Sequence, residues 1–156
     1  MDAWCSLMDI KVRQVIREDL NRVHQIESSS FDESYGFLMF QKLFDIGAGF
    51  LVAEIEGYVV GYILFWIKEE GVGHIISIAV DQEYRNLKIA SSLLIRALSI
   101  LKSFNLEIIT LEVKQQNKIA IDFYKKFDFK IDRIVPNYYN DKSNAIVMYY
   151  SLNNYD

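Results

Sequence analysis

At 156 residues, with 51% hydrophobic and 24% charged residues, the chain is long enough to bury a full core and too apolar to stay disordered. Its net charge is −4 and no basic stripe is visible, which argues against a nucleic-acid binder. The single cysteine, Cys5, excludes a disulfide framework or a cysteine-based metal site, and a lone thiol without a fixed base makes a poor nucleophile.

No segment is long and apolar enough to span a bilayer, and Met1–Met8 lacks the basic start and long apolar core of a signal peptide. A cytoplasmic protein is expected, with Met8 as an alternative start. Residues 1–10 read as an N-terminal extension and 11–153 as one domain. Lys11–Ile16 reads as a strand. Asp19 can cap a helix carrying Leu20, Val23, Ile26 and Glu27, broken by Ser28-Ser29-Ser30. Phe37–Phe44 reads as a second helix. Phe50–Glu54 and Tyr58–Phe65 are strands joined at Glu56-Gly57, and a turn at Glu69-Glu70-Gly71 leads into a strand over His74–Val80. A helix over Ala90–Phe104 puts Leu93, Leu94, Ala97, Leu98 and Leu101 on one face. Ile108–Val113 is a buried strand, and Asn117 can cap the helix carrying Ala120, Ile121, Phe123, Tyr124 and Phe127. Strands over Lys130–Val135 and Ile146–Leu152 close the chain. The order β-α-α-β-β-β-α-β-α-β-β predicts a single-domain α/β fold (α+β, mixed sheet), because three consecutive hairpin-type strands exclude a simple repeated βαβ sandwich.

The stretch Gly73-His74-Ile75-Ile76-Ser77-Ile78-Ala79-Val80, followed by Asp81-Gln82-Glu83-Tyr84-Arg85-Asn86-Leu87-Lys88-Ile89-Ala90-Ser91, carries the most information. A strand, a loop and a helix N-terminus present unpaired backbone N–H groups and the positive end of a helix dipole, a ready site for an anion. The residues resemble the acetyl-CoA signature of the GNAT acyltransferase superfamily, Arg/Gln-x-x-Gly-x-Gly/Ala after a strand ending in valine. Val80, Arg85 and Ala90 fit, and the element order is that of the GNAT fold. The resemblance implies that Arg85, Asn86, Leu87, Lys88, Ile89, Ala90 and Ser91 hold the pyrophosphate of acetyl-CoA (coenzyme A). It implies too that the backbone of Ile78, Ala79 and Val80, on a strand opening away from its neighbour, pairs with pantetheine and gives an N–H to the thioester oxygen. Lys88 stands where the family usually has its first glycine. Lysine resists the positive φ that glycine takes freely, yet brings a cation. It reads either as a tolerated substitution whose ammonium reaches a phosphate or as a damaged site, and the largely main-chain contacts favour the first.

Leu111-Glu112-Val113-x-x-x-Asn117-x-x-Ala120-Ile121-x-x-Tyr124 resembles the RimI-like N-terminal acetyltransferases. That resemblance implies that Glu112 takes the amine proton, directly or through water, that Tyr124 protonates the departing thiolate, and that Asn117 binds pantetheine. Singly, the three read as a strand-end carboxylate, an amphipathic core residue and a helix cap. Gly73-His74-x-x-Ser77-Ile78-Ala79-Val80 resembles archaeal relatives, which implies a part for His74 in proton removal; packing or hydrogen bonding is the commoner role of a histidine at a strand start.

Phe31-Asp32-Glu33-Ser34-Tyr35 resembles the acceptor loop of archaeal N-terminal acetyltransferases, and Tyr138-Tyr139 the aromatic pair before their last strand. Phe31, Glu33, Tyr35, Tyr138 and Tyr139 are thereby implied in substrate binding, with aromatic packing as the alternative. Asp141-Lys142-Ser143-Asn144-Ala145 replaces the family's Gly-Glu-Asp-Ala. The expected activity is acetyl transfer from acetyl-CoA to protein N-terminal α-amines, with no metal, nucleic acid or membrane partner and the oligomeric state left open. Rival readings are acetylation of lysine side chains or a small amine, and a non-catalytic acyl-CoA sensor for which Lys88 is the one argument.

Overall fold

The computed structural model describes residues 9–31 and 35–153. Cys5, Met1–Met8 and the loop residues Asp32, Glu33 and Ser34 lie outside the described residues. The elements in chain order are β1 (Ile10–Gln14), α1 (Leu20–Ser30), α2 (Phe37–Asp45), β2 (Gly49–Ile55), β3 (Tyr58–Glu69), β4 (Val72–Val80), α3 (Ile89–Lys102), β5 (Ile108–Lys114), α4 (Lys118–Lys126), β6 (Lys130–Val135) and β7 (Ala145–Ser151). Short 3-10 turns at Arg17–Asp19 and Gln82–Tyr84 precede α1 and α3.

The strands form one seven-stranded sheet in the order β1-β2-β3-β4-β5-β7-β6. β4 and β5 are parallel, while β1–β2, β2–β3, β5–β7 and β6–β7 are antiparallel. The mixed α/β architecture expected from the element order is therefore the one observed. β7 inserts between β5 and β6 because its residues Ala145–Met148 are buried, whereas β6, Lys-Ile-Asp-Arg-Ile-Val, is exposed along most of its length. Charged residues on an edge strand discourage further pairing.

Several details differ from the periodicity reading, β3 running on from Phe65 to Glu69 among them. β1 ends at Gln14 rather than Ile16. α1 continues through Ser30, because the Ser29 and Ser30 hydroxyls donate to the carbonyls of Gln25 and Ile26 at 2.9 and 2.7 Å and so satisfy themselves within the helix. Asp19 precedes α1, but its carboxylate accepts from the Ile16 N–H at 2.8 Å and from Arg13 at 2.8 and 3.0 Å, so it ties down the entry to the helix rather than capping it. The turn at Glu56-Gly57 forms as expected, with φ of 51° and 81°, the doubly positive pattern of a tight hairpin.

The chain divides into two compact units, Met1–Phe65 with Ser77–Ile100, and Trp66–Ile76 with Leu101–Asp156. In the first, Leu20, Val23 and Ile26 of α1 and Phe40 of α2 are buried, and Phe40 meets Tyr62 edge-on at 5.6 Å. Leu93, Leu94, Ala97 and Leu98 of α3 are buried as their spacing requires, each leucine supplying about 1.5–3 kcal/mol. Gly61 lets α3 approach: a Cβ there would lie 3.2 Å from both Ile89 and Leu93. Tyr62 reaches Ser77 Oγ at 2.8 Å, satisfying two buried hydroxyls. In the second unit Leu101 of α3, Ile109, Leu111 and Val113 of β5, Ile121 and Tyr124 of α4, and Phe129 make the core together with β7.

Candidate active site

In the first unit, β4 ends at Val80, and Arg85 Nε reaches back to the Val80 carbonyl at 3.3 Å. Asn86 and Lys88 both adopt left-handed backbone, with φ of 66° and 63°. The glycine-like geometry anticipated at Lys88 is thus taken up by lysine itself, at a cost of about 1–2 kcal/mol for an L-residue. α3 then begins at Ile89, and its first intrahelical bond runs from the Ser92 N–H to the Lys88 carbonyl at 3.0 Å. The N–H groups of Ile89, Ala90 and Ser91 precede that bond, so the loop and helix start present a short row of donors. Ile78 is half-buried, and Ala79 and Val80 are buried.

The same unit carries the predicted acceptor loop. Phe31 and Tyr35 are exposed, and Tyr35 meets Phe40 edge-on at 6.5 Å. The Tyr35 N–H donates to Glu27 Oε1 at 2.6 Å, and Glu27 is fully buried. The sequence places Glu27 on the inward face of its helix without a role; its carboxylate organises the backbone that follows.

In the second unit, β5 alternates, so Thr110, Glu112 and Lys114 share a face opposite the buried Ile109, Leu111 and Val113. The β4–β5 ladder ends at His74 opposite Thr110. His74 lies between two β5 side chains: Nδ1 is 2.8 Å from Thr110 Oγ1 and Nε2 is 2.9 Å from Glu112 Oε2. Burial pushes the Glu112 carboxyl up, but the His74 hydrogen bond and charge, with Lys68 and Arg133, outweigh it and hold the group below its ordinary value. Sequence reasoning singled out His74 and Glu112 but not their contact, and it missed Thr110. The signal was a polar residue two positions before Glu112 on an otherwise apolar strand.

Tyr124 of α4 is buried against Phe123 and Phe129, with ring centroids at 5.3 and 5.8 Å. Burial first, and Tyr139 second, push its phenol well above the ordinary tyrosine value, so it keeps its proton. Tyr138 and Tyr139 pack edge-on at 4.9 Å, and the Tyr138 phenol is raised by burial and then by the charge of Glu112. Their loop is well tied. Tyr138 and Tyr139 N–H groups donate to the Ser143 carbonyl at 3.1 and 3.2 Å, and Lys114 lies over the Tyr139 ring at 5.2 Å while bonding Asp141 at 3.2 Å. Two hydrogen bonds from Ser143, then Lys114, lower Asp141 to about 2. The chain's own Asp141–Asn144 segment thus supplies the loop's internal bonds. Asn117 caps α4, its Oδ1 accepting from the Ala120 N–H at 3.1 Å, which leaves the amide NH₂ as the group it could offer a ligand. Among the described residues no three His, Cys, Asp or Glu side chains are grouped to hold a metal, and no helix is long and apolar enough to cross a membrane.

The family model for the acetyltransferase (GNAT) family matches residues 20–129. The chain is 34% identical to an N-alpha-acetyltransferase of Sulfolobus acidocaldarius, over 90% of this chain and 92% of that one. Its fold superposes on that of Ard1 from Thermoplasma volcanium with a TM-score of 0.87 at 32% identity, covering 92% of this chain and 98% of the other. Arabidopsis thaliana Naa50, in complex with the bisubstrate analogue CoA-Ac-MVNAL, gives a TM-score of 0.80 at 26% identity over 92% and 99% of the two chains. The chain belongs to the acetyltransferase (GNAT) family. It is an acetyl-CoA-dependent N-acetyltransferase.

Proposed function

We propose that this enzyme acetylates the α-amino group of protein N-termini in the cytoplasm, the amine attacking the thioester of acetyl-CoA directly. The observation that carries the chemistry is the 2.9 Å pair of His74 with an ionised Glu112. An amine must shed a proton as it attacks, and a carboxylate kept charged and aligned by an imidazole can take it, directly or through water. In the proposed reaction a C–N bond forms and the C–S bond breaks. Ile78, Ala79 and Val80 hold the pantetheine arm and give the thioester oxygen an N–H, the donors of Arg85–Ser91 hold the pyrophosphate, and Asn117 adds a donor to the arm. Tyr124 donates to the departing sulfur. Because its phenol holds its proton firmly, its first contribution is a hydrogen bond to developing thiolate, with proton delivery following. Phe31, Glu33, Tyr35, Tyr138 and Tyr139 would grip the acceptor's first residues.

The likeness to archaeal N-alpha-acetyltransferases supports an α-amine acceptor, and so does acid–base chemistry. At pH 7 roughly a tenth of an α-amine is neutral, against well under a thousandth of a lysine amine. A short peptide with a free N-terminus is expected to be acetylated there. The same peptide with a blocked N-terminus and an internal lysine should react far more slowly. Mass spectrometry locates the acetyl group; finding it mainly on lysine, or on a competing small amine, overturns the reading.

Lys88 supplies a second test. Lys88→Ala keeps the left-handed strain and removes the cation, so CoA binding should weaken, more at low than at high ionic strength. Lys88→Gly also removes the cation but relieves the strain, and should be more stable than Lys88→Ala by about 1 kcal/mol in denaturant titrations. Equal stability of the two variants would contradict the strained geometry.

A further inference from the structure

The start of the cofactor loop is held by a group that no cofactor atom need touch. Beyond β4 the Asp81 N–H donates to the Val60 carbonyl at 2.8 Å, keeping the chain against β3 for one more residue. Asp81 Oδ1 then accepts the Glu83 N–H at 2.9 Å, and the Tyr84 N–H donates to the Asp81 carbonyl at 2.9 Å, folding the turn that delivers Arg85. The other carboxylate oxygen, Oδ2, accepts a hydrogen bond from Arg22 Nη2. Arg22, from α1, is anchored twice more: its Nε donates to the Val59 carbonyl at 2.9 Å, and its guanidinium lies 4.4 Å over the Tyr58 ring, which itself packs against Tyr84 at 6.3 Å. The two charged side chains are only 20% and 19% exposed, so the pair is shielded from full solvent screening.

We propose that Arg22, acting through Asp81, is a positioning residue for acetyl-CoA: it locks the turn at Gln82–Tyr84 to β3 and thereby presets the donors of Arg85–Ser91 for the pyrophosphate. The guanidinium fork bonds a backbone carbonyl and a carboxylate at once, which a single ammonium cannot reproduce in the same plane. Asp81 also feels the charge of Arg85, so it gathers a cation on each side of the turn. A loop already holding Asn86 and Lys88 in left-handed backbone needs such a fixed entry, because strained residues persist only where their surroundings over-determine them. Ordering the loop before the ligand arrives lowers the entropy lost on binding.

The inference rests on the pyrophosphate assignment above, and two acetyl donors separate them. S-acetylpantetheine carries the thioester and the arm without the pyrophosphate. Wild-type enzyme should use acetyl-CoA with much the lower KM; equal KM for both donors overturns the loop assignment and the inference with it. Given that preference, Arg22→Met should raise the KM for acetyl-CoA on the order of tenfold, the size of one charge-assisted hydrogen bond, with kcat little changed. Its kcat/KM for S-acetylpantetheine should stay at the wild-type value. Arg22→Lys, which keeps the charge, should fall between. Where Arg22→Met does not fold, Asp81→Asn retains an acceptor for Glu83, loses the ion pair, and should show the same donor-selective defect. Loss of activity with both donors in parallel, or no change with either, overturns the positioning role while leaving the loop assignment standing.

Discussion

Glu112→Gln is expected to lower kcat/KM for a peptide N-terminus by something like 10²–10⁴-fold, the range of a general base, with the deficit greatest at the lowest pH. Glutamine keeps an oxygen that can accept from His74 Nε2, so the geometry survives while the charge is lost. The wild-type carboxylate can take a proton from an ammonium substrate, whereas the variant must wait for an amine that is already neutral. The α-amine is neutral to roughly a tenth at pH 7 and mostly neutral at about pH 9, so the two rate profiles should converge as pH rises. Because the folded Glu112 titrates below its ordinary value, the ionised side chain's stabilising contribution is complete above the unfolded value near pH 4.5 and disappears as pH falls through the lower folded value. Acid loss of the variant's activity between about pH 6 and 8 should therefore follow the substrate amine, whose reference value lies there, while the wild-type rate, with Glu112 already ionised, should fall less across that range. Parallel profiles for the two enzymes, separated by a constant factor, would remove Glu112 from the proton path.

Tyr124→Phe is expected to lower kcat by about 10²–10³-fold, the effect of removing one donor to a developing anion, while the KM for acetyl-CoA changes little. Phenylalanine retains the ring contacts with Phe123 and Phe129, so thermal stability should hold. Since the phenol stays protonated well beyond its ordinary value, the wild-type kcat should show no alkaline decline attributable to Tyr124 below about pH 10. A variant turning over at the wild-type rate would show that water alone serves the leaving sulfur.

Local pattern determined much of this protein. The apolar spacing of Leu93, Leu94, Ala97, Leu98 and Leu101 marked the buried face of α3, and Asn117 was legible as the α4 cap, because both depend on neighbours within one or two turns. The element order was legible for the same reason, and the two motifs pointed to the family. Where local pattern misled, a side chain had changed partners: the serines ending α1 bonded back into the helix, and Asp19 turned to Arg13 and Ile16. Tertiary structure alone decided which groups meet. His74 and Thr110 are 36 residues apart, and Arg22 and Asp81 are 59 apart. Their contacts follow from the β4–β5 register and from the seat of α1 beside β3, which no window of sequence contains. The insertion of β7 between β5 and β6 belongs to the same class. Periodicity states which face of an element is buried; the pairing that brings two faces together depends on burial and hydrogen bonding summed over the whole sheet.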